Sequence, residues 1–311
     1  MNYEEFLLEL IKEDDRIIVM TAENRAAIRN LPDKAKERFI DVGIAEQTMI
    51  GMSAGLALRG RIPVVHALAT FLTMRAFEFI RTDIGIGNLP VKLVGAVPGF
   101  LSDGNGPTHQ AIEDISIMRG IPPINIFCPS DEEDMLLGLK EVFTHPSPFY
   151  IRYNNLKPAV EHNKNFRIGK AEVISEGRDM VILTYGILLK QAVEAADILR
   201  SEGKSVGIVN LRTLKPIDEE LLGKICSGGV LVVTLEDHFI TGGLYSILSE
   251  FLVKENIRCN VLPVALENKW FKPALLPDVL EYEGFTGEKI AGRINKEFIK
   301  LSEREEYTNQ N

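Results

Sequence analysis

The sequence predicts an α/β fold built as two doubly wound domains, and three observations lead to that prediction. The chain has 311 residues, and at roughly 150 residues per domain this length suggests two domains. Short apolar, β-rich runs alternate with helical patterns along the chain, which is typical of parallel strands connected by helices. A polar stretch without periodicity, residues 155–166, interrupts the alternation near the middle. We therefore expect domains of residues 1–160 and 161–311, joined by this linker.

The first domain is predicted to begin with an amphipathic helix and to continue as a series of short strands. The apolar stripe of that helix consists of Phe6, Leu7, Leu10 and Ile11. The apolar runs that predict strands are residues 17–20, 63–65, 91–94, 124–127 and 149–152. Ser130 is the predicted N-cap of the helix before the last strand, because Glu133 stands at the capping-box position. Pro146 and Pro148 then end that helix.

The second domain is predicted to repeat this rhythm. Its strands are expected at residues 180–185, 206–209 and 230–233. A helix between the first two carries the apolar stripe Ala192, Ala195, Ala196 and Leu199. Gly242 and Gly243 open a further helix after the third strand. Active sites in such sheets lie at the carboxyl ends of the strands, so functional residues are expected in the loops there.

Composition and charge exclude several classes of function. Apolar residues make up 45% of the chain and charged residues 25%, as in ordinary soluble proteins. The net charge of −9 argues against nucleic acid or an anionic membrane surface as partner. No apolar run approaches the roughly 18 residues of a membrane span, and the N-terminus lacks the pattern of a signal peptide. Cys128, Cys226 and Cys259 form no CxxC pair, which argues against a disulfide framework or zinc knuckle. We expect a cytoplasmic protein.

Several segments of the first domain carry a specific resemblance. They are residues 41–47 (DVGIAEQ), 69–77 (ATFLTMRAF), 103–110 (DGNGPTHQ), 118–122 (MRGIP) and 128–131 (CPSD). In this order they resemble the pyrimidine-binding domain of transketolases and of deoxyxylulose-phosphate synthase. Residues 179–186, 211–218, 236–238 and 242–243 resemble the C-terminal domain of the same superfamily. The resemblance covers nearly the whole chain.

The resemblance implies a cofactor and a partner. Members of this family bind thiamine diphosphate and Mg²⁺ across two domains, and a Gly-Asp-Gly motif with a downstream Asn holds the metal. The present sequence has no Gly-Asp-Gly, and the partial match at residues 102–104 lies in a different loop. The resemblance therefore implies the C-terminal subunit of a split transketolase with no metal ligands of its own. An N-terminal subunit would hold Mg²⁺ and the diphosphate, and a heterotetramer is expected.

The resemblance also assigns the cofactor-binding residues. Glu46 matches the carboxyl group that hydrogen-bonds N1′ of the pyrimidine and stabilises the imino tautomer, although a glutamate at that place taken alone would be a helix cap. Phe71 matches the aromatic residue that stacks on the pyrimidine. Met74 stands where some transketolases have another aromatic residue. Phe77 matches a second aromatic residue nearby, with a core position almost equally favoured. Ile44, in the motif of Glu46, is a further expected cofactor contact.

The same resemblance implies a set of substrate contacts. His109 matches a histidine that contacts the hydroxyls or carbonyl of the donor and relays protons. Arg152 matches the arginine for the substrate phosphate, and a surface salt bridge is the alternative at near-even odds. His66 is a further candidate for lining the pocket, although a satisfied core histidine is the favoured interpretation.

Some positions depart from the family pattern. Asn105 stands where transketolases commonly have an aspartate, and Asp103 lies close enough to take that role. Residues 97–100 lack the His or Arg that phosphosugar enzymes use on the phosphate, although Arg25 is available elsewhere. We therefore expect a non-standard acceptor sugar, such as a nucleotide-linked one.

The leading hypothesis is thus a transketolase-like transferase that moves a two-carbon ketol unit from a ketose to a sugar. The alternatives are the β subunit of a 2-oxo acid dehydrogenase, which shares both domains, and a non-catalytic scaffold subunit of this fold. A nicotinamide-dependent enzyme is disfavoured, because no G-x-G-x-x-G follows an early strand.

Overall fold

The computed structural model describes the backbone of residues 1–309 and the side chains of residues 1–304. Its strands, in chain order, are β1 (Ile17–Thr21), β2 (Phe39–Asp41), β3 (Ile62–Leu68), β4 (Lys92–Ala96), β5 (Asn125–Phe127), β6 (Phe149–Arg152), β7 (Glu172–Ser175), β8 (Met180–Thr184), β9 (Val206–Asn210), β10 (Thr213–Lys215), β11 (Leu231–Phe239) and β12 (Asn260–Leu266). They form two sheets, as the α/β prediction requires.

Helices separate most of these strands. In chain order they are α1 (Tyr3–Glu13), α2 (Leu31–Ala35), α3 (Glu46–Leu58), α4 (Phe77–Phe79), α5 (Asp114–Arg119), α6 (Glu132–Thr144), α7 (Leu189–Ser201), α8 (Glu219–Cys226), α9 (Leu244–Lys254), α10 (Leu276–Glu283) and α11 (Gly287–Asn309). Two π-helical turns, Phe71–Arg75 and Ile80–Gly85, flank α4, and a 3₁₀ helix covers Gly99–Asn105. No helix in the described part of the chain is long and apolar enough to cross a membrane.

The first sheet has seven strands in the order β10-β5-β6-β4-β3-β1-β2, and the second has five in the order β12-β11-β8-β9-β7. All pairs are parallel except β10 with β5 and β7 with β9. β1, β4, β8 and β9 are buried at every position, as expected for parallel strands covered on both faces. One apolar cluster contains Ile18 and Leu93 of the first sheet and Val181 and Val232 of the second, so the two sheets share a core.

The predicted strands are all present, with boundaries that differ by a few residues. β2, β7, β10 and β12 were not predicted. β10 comes from the second half of the chain and pairs with the first sheet through β5. Residues 155–166, the predicted linker, contain no helix or strand, yet His162 and Phe166 within them are buried.

The predicted N-cap of α6 is wrong by one residue. Asp131 is the N-cap, and its carboxylate accepts the backbone N–H of Asp134 at 3.0 Å. Ser130 instead donates its hydroxyl to the Asp134 carboxylate at 3.1 Å. A carboxylate is favoured at the start of a helix, because the free N–H groups there carry partial positive charge.

Candidate active site

Glu46 is the first residue of α3, directly after the turn that leaves β2. Gly43 in that turn has a φ of +70°, a conformation that favours glycine. The Glu46 side chain is only 2% exposed, and its position at a helix N-terminus favours a carboxylate. Both of its oxygens accept hydrogen bonds from Nη1 of Arg75, at 3.2 and 3.0 Å. The structure therefore holds Glu46 as an inward-facing carboxylate with a guanidinium partner.

Arg75 joins Glu46 to Phe71. Its guanidinium carbon lies 4.1 Å from the centroid of the Phe71 ring, within the range of a cation–π contact. The π-helical turn Phe71–Arg75 contains both residues, and such turns recur at functional sites. Gln47 donates its side-chain amide to the Arg75 carbonyl at 3.2 Å, which fixes this turn against α3. The resemblance assigned no role to Arg75, although it lies inside one of the motif segments.

His109 lies next to Phe71 and joins the group formed by Glu46, Arg75 and Phe71. Its ring meets the Phe71 ring edge-on, with 5.1 Å between centroids. Thr70 donates its hydroxyl to the His109 carbonyl at 2.7 Å, and the Thr108 hydroxyl lies 3.0 Å from Nδ1 of the imidazole. The structure thus brings together Glu46, Phe71 and His109 from three separate motifs, with Arg75 between the first two. A carboxylate, an aromatic ring and an imidazole therefore lie in one continuous set of contacts.

The other expected cofactor contacts are less closely tied to this group. Phe77 is partly buried and packs against the large apolar cluster, which agrees with the core interpretation. Met74 is partly buried in the same π-helical turn as Phe71. Ile44 is 72% exposed in the turn before α3.

Arg152 is held in ion pairs, which favours the salt-bridge alternative over a contact with a substrate phosphate, although the pairs lie inside the protein. The residue is 3% exposed. Its Nε lies 2.9 Å from the Asp114 carboxylate, and its Nη1 lies 2.6 Å from the carboxylate of Asp237 in β11. Burial alone would lower the pKa of Arg152, but Asp114 and Asp237 outweigh it and raise that pKa. The pairing with Asp237 ties β6 of the first sheet to β11 of the second.

His66 is a core histidine, which agrees with the favoured interpretation rather than with a substrate contact. It is 2% exposed in β3. Its Nε2 lies 2.8 Å from the Tyr3 hydroxyl and its Nδ1 3.1 Å from the Met20 carbonyl, which satisfies both nitrogens of a neutral ring. Burial lowers the pKa of His66 to about 4, so the imidazole is neutral at pH 7.

The remaining predicted substrate residues, Arg25, Asp103 and Asn105, are at least partly exposed. Arg25 is half-exposed and pairs with Asp41 at the end of β2. Asp103 and Asn105 lie in the 3₁₀ helix Gly99–Asn105, in the loop that leads to His109. The roles of Arg25, Asp103 and Asn105 as substrate contacts remain predictions.

A buried charge cluster away from these residues has the spacing of a metal site. Ligand atoms of Asp134, His162 and Glu172 lie within 4.8 Å of one another. Arg212 already pairs with Asp134 at 2.6 Å and with Glu172 at 2.9 Å. His162 contacts Asp131 at 2.7 Å and Glu172 at 2.9 Å, so both ring nitrogens are occupied. The cluster therefore functions as a set of ion pairs that fixes residues 155–166.

His162 is the charged centre of that cluster. Burial alone would lower its pKa, but the hydrogen bonds to Asp131 and Glu172 outweigh burial and raise the pKa to about 10. The imidazole is therefore protonated at pH 7, which neutralises part of the surrounding acid. No pattern in the sequence indicates this role, since His162 stands in a stretch without periodicity.

Comparison with known families identifies the chain. The pyrimidine-binding domain of transketolase matches residues 1–158, and the transketolase C-terminal domain matches residues 169–290. The chain belongs to the transketolase family. The resemblance stated from the motifs is thereby confirmed, as is the fold of two α/β domains.

Relatives with known names include both split and full-length proteins. A 6-deoxy-6-sulfo-D-fructose transketolase subunit from Clostridium sp. (strain MSTE9) is 35% identical over 93% of this chain and 91% of its own length. A putative transketolase C-terminal section from Methanocaldococcus jannaschii is 33% identical, with 96% of both chains covered. The 1-deoxy-D-xylulose-5-phosphate synthase of Dictyoglomus thermophilum is 36% identical, but the match covers only 47% of that enzyme.

Solved structures agree with these relatives. A split-gene transketolase described as an inactive β4 tetramer superposes with a TM-score of 0.85 at 33% identity, and covers 94% of this chain and 96% of its own. A transketolase mutant from Pichia stipitis, at 20% identity and a TM-score of 0.79, shares the fold over 44% of its length. This chain is therefore a C-terminal, transketolase-like subunit, and the dehydrogenase β subunit and the scaffold are not favoured.

Proposed function

We propose that this subunit works in a heteromeric, thiamine diphosphate-dependent enzyme that transfers a two-carbon ketol unit from a ketose donor to a sugar acceptor. The observation that carries the proposal is the placement of Arg75 between Glu46 and Phe71. A planar, nitrogen-bearing group lies on the face of Phe71 and hydrogen-bonds to both oxygens of a buried carboxylate. An aminopyrimidine ring needs the same two contacts, so the residues present fit the cofactor.

Each residue then has a defined task. Thiamine diphosphate supplies, when bound, a nucleophilic carbon at C2 of its thiazolium ring. Glu46 would hold a proton against N1′ of the pyrimidine, and Phe71 would stack on that ring. Arg75 would leave the face of Phe71 when the cofactor binds, and its half-exposed guanidinium can move into solvent. His109, at the edge of Phe71, exchanges a hydrogen bond or a proton with the donor sugar.

The surface beside this site fits a protein partner. α3 starts at Glu46 and presents Met52 and Leu58 to solvent, with exposures of 41% and 73%. Ile44 and Ile86 add exposures of 72% and 76%. Such apolar surface on a chain of net charge −9 is typical of an interface. We infer that an N-terminal transketolase subunit covers it, holds Mg²⁺ and the diphosphate, and assembles with this chain as a heterotetramer in the cytoplasm.

The substrate is proposed to differ from the usual pentose phosphates. Arg152 is committed to Asp114 and Asp237 and cannot bind a phosphate, and residues 97–100 supply no cationic replacement. A sugar that is larger or carries another anionic group, such as a nucleotide-linked sugar, fits these departures. The relative from Clostridium is named for a sulfonated ketose, so sulfonated donors belong in the same test.

Calorimetry tests the shared site directly. Thiamine diphosphate with Mg²⁺ is titrated into this chain alone and into its mixture with an N-terminal transketolase section encoded by a neighbouring reading frame. We expect binding in the mixture only. Tight binding to this chain alone would overturn the split-site proposal.

The reconstituted enzyme is then assayed with a panel of donors and acceptors. It should prefer a sulfonated or nucleotide-linked sugar over xylulose 5-phosphate with ribose 5-phosphate. Efficient turnover of that pentose phosphate pair would overturn the substrate proposal while leaving the ketol transfer intact. Transfer of an acyl group to a lipoamide would instead overturn the transketolase assignment.

A further inference from the structure

The loop that carries His109 is short and open to solvent. Residues 106–110, which we call the His109 loop, contain a turn but no helix or strand. Two of these residues, Pro107 and Thr108, are exposed. A segment with so few contacts of its own is expected to move unless neighbouring elements hold it. The position of His109 beside Phe71 therefore depends on the contacts that anchor this loop.

Gln110, at the end of the His109 loop, is attached to the second half of the chain. Its Nε2 donates a hydrogen bond to the Phe271 carbonyl at 2.8 Å, across 161 residues of sequence. Both residues are 1% exposed, so this bond is shielded from water. Oε1 of the same amide has no hydrogen-bond partner among the described residues. Replacing the amide by an apolar group would leave the buried Phe271 carbonyl without this donor, which is destabilising.

The same part of the second half also contacts the residues before the loop. Residues 271–274, which we call the anchor segment, lie between β12 and α10. The backbone N–H of Ala274 donates to the Asp103 carbonyl at 3.2 Å. A Cβ atom placed on Gly106 would lie 3.6 Å from Cγ of Pro273, so the two backbones pass close to each other there. The anchor segment therefore holds the His109 loop at its beginning as well as at its end.

The anchor segment is fixed because Phe271 belongs to a buried core. The Phe271 ring packs against Phe100 with 5.4 Å between centroids, and Phe100 packs against Phe285 with 4.9 Å between centroids. All three rings share an apolar cluster with Ile182 of β8. Phe100 comes from the first half of the chain, so its ring crosses into the core of the second. Because packed cores hold their residues in fixed positions, the Phe271 carbonyl is a firm point of attachment.

The first half of the chain holds His109 from another direction. The Thr70 hydroxyl donates to the His109 carbonyl at 2.7 Å, and the imidazole meets the Phe71 ring edge-on with 5.1 Å between centroids. Thr70 is buried, so this bond is also shielded. Since His109 and Gln110 are neighbours in the chain, the bonds to Thr70 and to Phe271 act on adjoining residues. Together they fix the backbone from which the imidazole projects.

We propose that Gln110 is a positioning residue, which holds His109 beside Phe71 by bonding to the Phe271 carbonyl of the second half. This inference rests on the proposed function, because it assigns Gln110 to the same site. It gives the C-terminal domain a task there, since an imidazole that exchanges a proton must be held within about 0.5 Å of its working position. Gln110 acts through His109, because its own side chain is buried at the junction of the two halves.

Nuclear magnetic resonance tests the position of His109 on the full chain, without cofactor or partner. The chain has five histidines, and His109→Asn identifies the Cε1–H signal of His109. The ring current of Phe71 shifts that signal away from the value of an unstructured histidine, because the two rings are in contact. Gln110→Met removes the amide and keeps an unbranched side chain of similar length. Gln191→Met is the matched control, because Gln191 is a buried glutamine of α7, outside the loop and the anchor segment.

We expect the His109 signal at pH 7 to move towards the unstructured value in Gln110→Met and to keep the wild-type value in Gln191→Met. Urea unfolding shows whether each variant is folded. An unchanged His109 signal in a folded Gln110→Met, or an equal change in both variants, would overturn the proposal.

Gln110→Glu provides a second test should Gln110→Met fail to fold. A protonated carboxyl group can donate to the Phe271 carbonyl, whereas a carboxylate only accepts. The His109 signal of this variant should therefore match that of the wild type at pH 5 and depart from it at pH 9. A match at both pH values would contradict the role of the donated hydrogen bond.

The reconstituted enzyme adds a kinetic measurement, with the donor that turns over best in the panel above. In Gln110→Met we expect kcat to fall about tenfold, because the imidazole is misplaced, while KM changes less than about twofold. A raised KM with an unchanged kcat would overturn the assignment of Gln110 to positioning. If the wild type transfers no ketol unit, the proposed function fails, and the resonance experiment still decides whether Gln110 holds His109.

Discussion

Two arginines of the first domain each hold a carboxylate, and they do so in opposite surroundings. Arg75 pairs with Glu46 while 43% of its side chain stays exposed, and its other contact is the face of Phe71. Arg152 pairs with Asp114 and Asp237 with 4% of its side chain exposed. An ion pair with a solvent-exposed member contributes about 1 kcal/mol or less to the stability of the fold. Removing one partner of a buried pair instead leaves an uncompensated charge inside the protein. The first arginine can therefore exchange its partner for a ligand, and the second cannot.

The difference between the two arginines shows how burial changes the meaning of one residue type. Arg75 lies in a motif segment and Arg152 was matched to an arginine of the family, and both side chains can bind an anion. Arg152 lies where two sheets meet, so its charge is balanced within the protein. Arg75 lies at the rim of the site, so its guanidinium can exchange Glu46 for another partner. The predictions below test that contrast.

Replacing Glu46 by Gln should have the largest effect. The variant keeps the size of the side chain, but its amide cannot exchange a proton with the cofactor as a carboxyl group does. We expect kcat of the reconstituted enzyme to fall about thousandfold, in the range for loss of a general acid–base group. Thermal unfolding should change little, because the Arg75 guanidinium that loses its partner is 43% exposed and water can solvate it. A variant with near wild-type activity would contradict the assignment of Glu46.

Replacing Arg152 by Met should destabilise the chain by about 3 kcal/mol, as expected when one partner of a buried ion pair is removed. Asp114 and Asp237 would then lie buried without their cation. Urea unfolding followed by circular dichroism measures this loss. A small loss of stability combined with weaker substrate binding would instead restore Arg152 as a phosphate ligand.

Replacing His162 by Gln should cost about 2 kcal/mol at neutral pH, as for hydrogen bonds to a charged group. The pKa of His162 is raised from 6.5 to about 10 in the folded chain. A raised pKa stabilises the fold fully below pH 6.5, and this stabilisation is lost as the pH rises towards 10. The difference in unfolding free energy between wild type and variant should therefore shrink between pH 7 and pH 10. A constant difference across that range would show that His162 is not charged.

Replacing Arg75 by Met should have the smallest effect on stability, within about 1 kcal/mol of the wild type. The same urea experiment used for Arg152→Met provides the matched comparison. Because 43% of the Arg75 side chain is exposed to solvent, added salt should reduce even this small difference. If Arg75→Met destabilised the chain as much as Arg152→Met, the contrast between the two arginines would be lost.

Much of the fold could be predicted because buried parallel strands are short, continuous apolar runs. The runs that became β1, β4, β8 and β9 are buried at every position. β10 could not be predicted in the same way. It is three residues long, and its pairing with β5 joins parts of the chain that are far apart in sequence.

The candidate site was predicted only in part. Motif order placed Glu46, Phe71 and His109 in one family pattern, and the structure brings them into one group. Arg75 was overlooked, because nothing in the spacing of residues 69–77 shows that its side chain turns towards Glu46. The choice between a phosphate contact and a salt bridge for Arg152 could not be made from the sequence, because burial is a property of the folded chain.

The sequence by itself determined the class of fold, the family and the residues that can do chemistry. Periodic apolar burial is a local property, and motif order is visible along one dimension. Only the tertiary structure decided which charged groups are balanced inside the protein and which stay open to a ligand. Asp237 reaches Arg152 from the other sheet, 85 residues away, and Asp131 reaches His162 across 31 residues. Burial and electrostatic pairing depend on such distant neighbours, so they are fixed only when the two halves of the chain pack together.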